Sequence, residues 1–122
     1  MDARTLARLQ ALGRVGIGAT LTLAPKRAGA GWIGRDASRP ATQVAISAVG
    51  ARDLAIGLGA AYATGQGHGA GPWLRAGILA DAIDFAATLR ARGHLPPIAV
   101  VGVGALAAGS ALVGIWLSRE LD

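Results

Sequence analysis

Four long apolar stretches, parted by short polar or Gly-rich segments, organise this sequence. Residues 95–118, LPPIAVVGVGALAAGSALVGIWLS, hold no charged side chain. At ~1.5 Å per helical residue they are long enough to cross a hydrocarbon core, which takes about 20 residues. Pro96 and Pro97 suit a first helical turn, where a missing N–H costs little. Arg119 and Glu120 close the stretch in water. Three other stretches are interrupted. Residues 6–25 carry Arg8, Gln10 and Arg14, residues 41–64 carry Gln43, Arg52 and Asp53, and residues 73–89 carry Arg75, Asp81 and Asp84. Each reads poorly as a lone lipid-facing span and well as a bundle member whose polar side turns inward. The pattern predicts an all-α fold, a four-transmembrane-helix antiparallel bundle. Its helices cover about 6–25, 41–64, 73–89 and 96–118, in a single integral membrane domain over residues 1–122.

The connections fit that count. Residues 26–39, KRAGAGWIGRDASR, read as a basic, Gly-rich loop, with Asp36 or Ser38 as N-cap of the second helix. Residues 65–72, GQGHGAGP, read as a turn, and residues 90–94, RARGH, as a short basic turn with Gly93 as a helix stop. Short loops make successive helices antiparallel neighbours. Tyr62, Trp73 and Trp116 then fall on one membrane side, where amphipathic rings prefer to sit. The side of loops one and three holds Lys26, Arg27, Arg35, Arg39, Arg90 and Arg92, against Arg4, Arg8, Arg75 and Arg119 on the other. The positive-inside rule places loops one and three in the cytoplasm and both termini outside. A cleaved signal peptide over the first helix fits less well. Arg14 lies close to its apolar stretch, and Lys26–Arg27 precede the weak cleavage site Ala28-Gly-Ala30.

Composition narrows the function classes. Of 122 residues, 52% are apolar and 16% charged, and the mean hydropathy is +0.46 with no cysteine. That excludes a disordered chain, a disulfide scaffold and a Cys-ligated metal protein. A net charge of +5 suggests an anionic partner. Lys and Arg sit beside apolar stretches, however, and at 4% aromatics there is no stacking platform, so the partner is the lipid bilayer and not a nucleic acid. Of the nineteen glycines, Gly13, Gly16, Gly18, Gly57, Gly59, Gly102, Gly104, Gly109 and Gly114 stud the predicted helices. Pairs such as Ala105/Gly109 and Ser110/Gly114 are the spacing that lets backbones approach closely in lipid. With no strand before them, they are not a phosphate loop. His68 and His94 are isolated, no set of residues has metal-ligand spacing, and no cofactor is expected. Thr88 is expected to bond back to its own helix.

The midpoints of three helices hold the chemistry. Arg14, Arg52, Asp53, Asp81 and Asp84 fall at one depth. A charge there costs ~2.5–3.5 kcal/mol on insertion scales, so the five must pair or some must be neutral. Two guanidiniums face three carboxyls, which makes a shared, titratable proton the expectation. Three readings follow. In the first, the cluster is a structural clasp, with Arg52 bridging Asp81 and Asp84, Arg14 pairing with Asp53, and a helix-packing role in a homo-oligomer. In the second, it is an enzyme site for a lipophilic small molecule, opening an epoxide or isomerising it. Asp81 and Asp84 would then be acid and base, Arg52 would orient them and Asp53 would stand behind. In the third, it conducts protons or cations.

GWIGRDASRP (31–40), GARDLAIGLG (50–59) and WLRAGILADAIDFAATL (73–89) resemble a family of small four-helix membrane proteins of unknown function, frequent in actinobacterial genomes. The resemblance covers roughly residues 10–90, and Gly-Ala-Arg-Asp-Leu-Ala is its most specific part. It implies the four-helix fold and places Arg52, Asp53, Asp81 and Asp84 in the family pattern. It implies no activity.

Overall fold

Asp2 starts the first helix. Its carboxylate accepts the backbone N–H of Thr5 at 2.7 Å, and this bond holds the carboxyl below the usual aspartate range. A computed structural model describes all 122 residues, as five α-helices without strands. They are α1 (Ala3–Leu23), α2 (Pro25–Ile33), α3 (Pro40–Gln66), α4 (Ala70–Arg90) and α5 (Pro97–Glu120). Pro25, Pro40 and Pro97 each open a helix. Gly67, at φ 83°, ends α3 in the left-handed conformation and turns the chain into α4 within three residues.

The four long helices form an up-down bundle in the order α1, α3, α4, α5. Each neighbouring pair is antiparallel. Gly18 of α1 meets Gly50 of α3, and Gly57 meets Ala11. Arg52 of α3 meets Asp84 of α4, while Gly59 lies under Trp73. Gly114 of α5 meets Ile78, and Gly104 lies opposite Phe85. Gln10 of α1 bonds Ser110 of α5 and closes the ring.

The first connection differs from the expected loop. It folds as α2 followed by a 3-10 turn over Gly34–Ser38. Glycine costs ~1 kcal/mol per helical position, but packing offsets it here. Gly29 is buried, and a Cβ on it would reach Ile46 Cδ1 at 2.5 Å, so its missing side chain leaves room for Ile46 where α2 lies against α3. Neither Asp36 nor Ser38 caps α3; Arg39 holds the N-cap position, with Pro40 beginning the helix. Gly93 does not stop α4. The helix ends at Arg90 through the Ala91 N–H bonding Ala87, and Gly93 lies in a 3-10 turn over Arg92–His94. Thr88 does not bond back to its own helix as expected: its hydroxyl accepts Trp32 Nε1 at 3.0 Å, which fastens α2 to the end of α4.

The core is built of small residues and the surface of large ones. Buried apolar positions are mostly alanine, and Leu117 is the one large side chain that is fully buried. Val44, Leu79, Ile98, Val101 and Leu112 all point outward with more than 60% of their surface exposed. Asp53 and Asp81 are inside. Only α3 and α5 are, by length and composition alone, able to cross a membrane. α1 and α4 have 21 residues each, about 31 Å of helix, but carry the interrupting Arg, Gln and Asp side chains. Of the four expected spans, two pass that test of length and composition.

A candidate site: an Arg/Asp chain at the centre of the bundle

Glycines place the charges. A Cβ at Gly18 would lie 2.6 Å from the Gly50 carbonyl oxygen, and one at Gly57 would lie 2.8 Å from that of Ala11. The backbones of α1 and α3 therefore touch above and below mid-length. Arg14 lies one turn from Gly18, and Asp53 lies between Gly50 and Gly57. The seam thus sets Arg14 opposite Asp53. On α4, a Cβ at Gly77 would lie 3.3 Å from Arg14 Nη2, so the missing side chain makes room for the guanidinium. Asp81 stands one turn further along α4.

All five charges meet. Arg14 donates from Nη1 to Asp53 Oδ1 at 3.1 Å and from Nη2 to Asp81 Oδ2 at 2.6 Å. Arg52 grips Asp84 with two parallel bonds, Nη1 to Oδ1 at 2.9 Å and Nη2 to Oδ2 at 2.7 Å. It also donates to Asp53 Oδ1, from Nη2 at 3.1 Å. The order is Asp81–Arg14–Asp53–Arg52–Asp84, with the sign alternating at every step. The fork-to-carboxylate geometry of Arg52 with Asp84 is the strongest form such a contact takes. No buried side-chain nitrogen or oxygen is left without a partner.

One pairing differs from the expected clasp. Arg52 reaches Asp84 but not Asp81, which belongs to Arg14. Three residues separate the carboxyls by about 60° around α4. That is enough to turn Asp81 toward the bundle axis and Asp84 toward the α3 flank. Gln10 and Ser110 extend the network and were not legible as members. Gln10 Nε2 donates to the Ser110 carbonyl at 2.9 Å, and Arg14 Nη2 reaches Ser110 Oγ at 3.4 Å. The only sequence hint was a glutamine one turn before an arginine on the same helix. Through these bonds α5, which has no mid-length charge, joins the cluster.

Burial is uneven along the chain. The Arg14, Asp53 and Asp81 side chains are 11%, 8% and 9% exposed, against 29% for Arg52 and 17% for Asp84. A cavity of about 20 Å³ touches Gln10, Arg14, Asp81 and Ser110. That is room for about one water molecule. A wider polar hollow of about 180 Å³ lies at the end of the bundle, lined by Arg4, His68 and Glu120 among others. Between that hollow and the cluster sit Ala7, Ala63, Ala70, Leu74 and Leu117, packed as one apolar layer.

His68 and His94 are both exposed. Of the glycine pairs on the last helix, Gly114 packs inside against Ile78, but Gly109 has nothing within 4 Å. The close seam is between α1 and α3, not on α5. A comparison with known protein families, curated proteins and solved structures finds no match.

Proposed function

We propose that the protein is a small multi-pass membrane protein of four spans, and that the Arg/Asp chain is its internal clasp. One observation carries this reading: five charges from three helices are paired end to end in a core of alanine and glycine, beneath a surface of leucine, isoleucine and valine. In water that arrangement forgoes the usual gain from burying large apolar side chains, ~1.5–3 kcal/mol each. In a bilayer it is favourable, because large side chains meet lipid and only packing and polar bonds remain to join helices. Four helices of about 30 Å or more match the hydrocarbon thickness, and α1 and α4 cross as partners of the more apolar α3 and α5.

Acid–base catalysis has less support. Asp81 and Asp84 are held by different guanidiniums, and the cavity beside Asp81 takes about one water, far below the ~300 Å³ of a small-molecule pocket. Ion passage has less support as well, since the apolar layer around Leu117 separates the cluster from the hollow at the chain-terminal end.

The end that carries α2 holds Lys26, Arg27, Arg35, Arg39, Arg90 and Arg92 against Asp36 alone. That is the cytoplasmic end in this reading, with α2 lying at the headgroup level and Trp32 turned to α4. The test is extraction and labelling of expressed protein in bacterial membranes. Alkaline carbonate should leave it in the membrane pellet. A cysteine at Gly93 should be shielded from an impermeant maleimide in intact cells, and one at Gly69 should react. Release by carbonate sinks the membrane reading, and the reverse labelling sinks the orientation.

A further inference from the structure

The clasp is closed on the inside and open on one outside face. Arg52 and Asp84, the outer pair, are both more exposed than any of the other three members. They sit at mid-length in the groove between α3 and α4. If the bundle spans a membrane, as proposed above, this pair faces hydrocarbon, where a charged side chain is costly unless something covers it. The groove around it is shaped for close approach. The exposed Ala48 and Ala55 lie on the same flank of α3 as Arg52, about one helical turn before and after it. On α4 the exposed Ala87 follows Asp84 by about one turn. Small residues on both walls let another helix come near enough to cover the pair.

The charge pattern identifies the occupant. The exposed patch carries one guanidinium and one carboxylate at one depth, since the two are bonded. A two-fold axis along the membrane normal preserves depth. It therefore brings Arg52 of one copy to Asp84 of the other, and Asp84 to Arg52, with no like charges opposed. The patch is complementary to itself, as an isologous interface requires. We propose that the protein is a homodimer joined through its α3–α4 faces, in which the two Arg52–Asp84 pairs merge into one ring of four charges.

The chain has no cysteine, so single cysteines report the interface directly. In native membranes, Ala48→Cys and Ala55→Cys should each form a disulfide-linked dimer on mild oxidation. Leu112→Cys and Ile98→Cys, on the outer side of α5, should not. In detergent, Ala55→Leu should raise the monomer–dimer Kd about tenfold or more, the scale of one lost close helix contact, with helical content unchanged. Because position 55 is exposed and outside the charge chain, the variant tests the face without disturbing the clasp. Cross-linking through α5 instead, or a monomer at every concentration in lipid, overturns the proposal. So does an Ala55→Leu variant that dimerises like wild type. Carbonate extraction of the same cysteine variants separates the two claims: retention without cross-linking sinks only the dimer, and release sinks the membrane reading beneath it.

Discussion

Arg14 is the residue on which the most depends. It alone touches two of the other long helices through charge, α3 at Asp53 and α4 at Asp81, and it reaches α5 through Ser110. Asp53 looks more central, because both guanidiniums donate to it. The charge count says otherwise. Without Asp53, Arg14 keeps Asp81 and Arg52 keeps Asp84, leaving two neutral pairs. Without Arg14, one guanidinium faces three carboxylates. A buried charge left unpaired costs about 3–5 kcal/mol, whereas an ordinary hydrogen bond contributes about 1 kcal/mol. At the chain's start, the Asp2 cap makes a smaller, pH-dependent contribution. Its carboxyl is held below the usual aspartate range by Thr5, so the contribution is present above the unfolded value and is lost as pH falls through the folded one. The protection factor of the Thr5 amide, its slowing relative to an unfolded peptide at the same pH, should fall on acidification in wild type. In Asp2→Ala it should be low at every pH, and an unchanged Thr5 protection factor in that variant would rule the cap out.

Among the elements, the α1–α3 seam is the contact least able to change. Gly18, Gly50 and Gly57 face backbone atoms at distances no Cβ tolerates. Gly50→Val should therefore part the two helices, pull Arg14 from Asp53 and lower the midpoint of thermal unfolding sharply. Overpacking costs of about 1–3 kcal/mol are a minimum where backbone is the obstacle. Gly102→Ala and Gly109→Ala meet open space and should be neutral or stabilising, by up to ~1 kcal/mol from helix propensity. Comparable losses at Gly50 and Gly109 would mean the seam is misplaced. The sequence displayed which stretches are helical, because apolar runs and flanking Pro and Gly mark them. It did not display which glycines are internal, since every long helix carries several. It hid α2 for the same reason: KRAGAGWI has loop composition, and the contacts that hold it as a helix, Gly29 on Ile46 and Trp32 to Thr88, are tertiary. Helix rotation was equally hidden. The five charges were visible at one depth, but only packing decides that Asp81 turns to Arg14 and Asp84 to Arg52.

For the whole molecule, polarity is inverted: alanine and paired charge inside, leucine and isoleucine outside. The net charge collects at the end that carries α2, while the centre holds two arginines and three aspartates. The proposed membrane insertion, the proposed orientation and the proposed α3–α4 interface all rest on that single distribution. The claim beneath them is that the Arg/Asp chain holds the bundle together. Reversible unfolding in mixed micelles of wild type, Arg14→Gln and Asp53→Asn tests it most directly. The expected loss is about 3 kcal/mol or more for Arg14→Gln and about 1 kcal/mol or less for Asp53→Asn. An Arg14→Gln protein as stable as wild type, or an Asp53→Asn protein less stable than Arg14→Gln, would contradict the clasp.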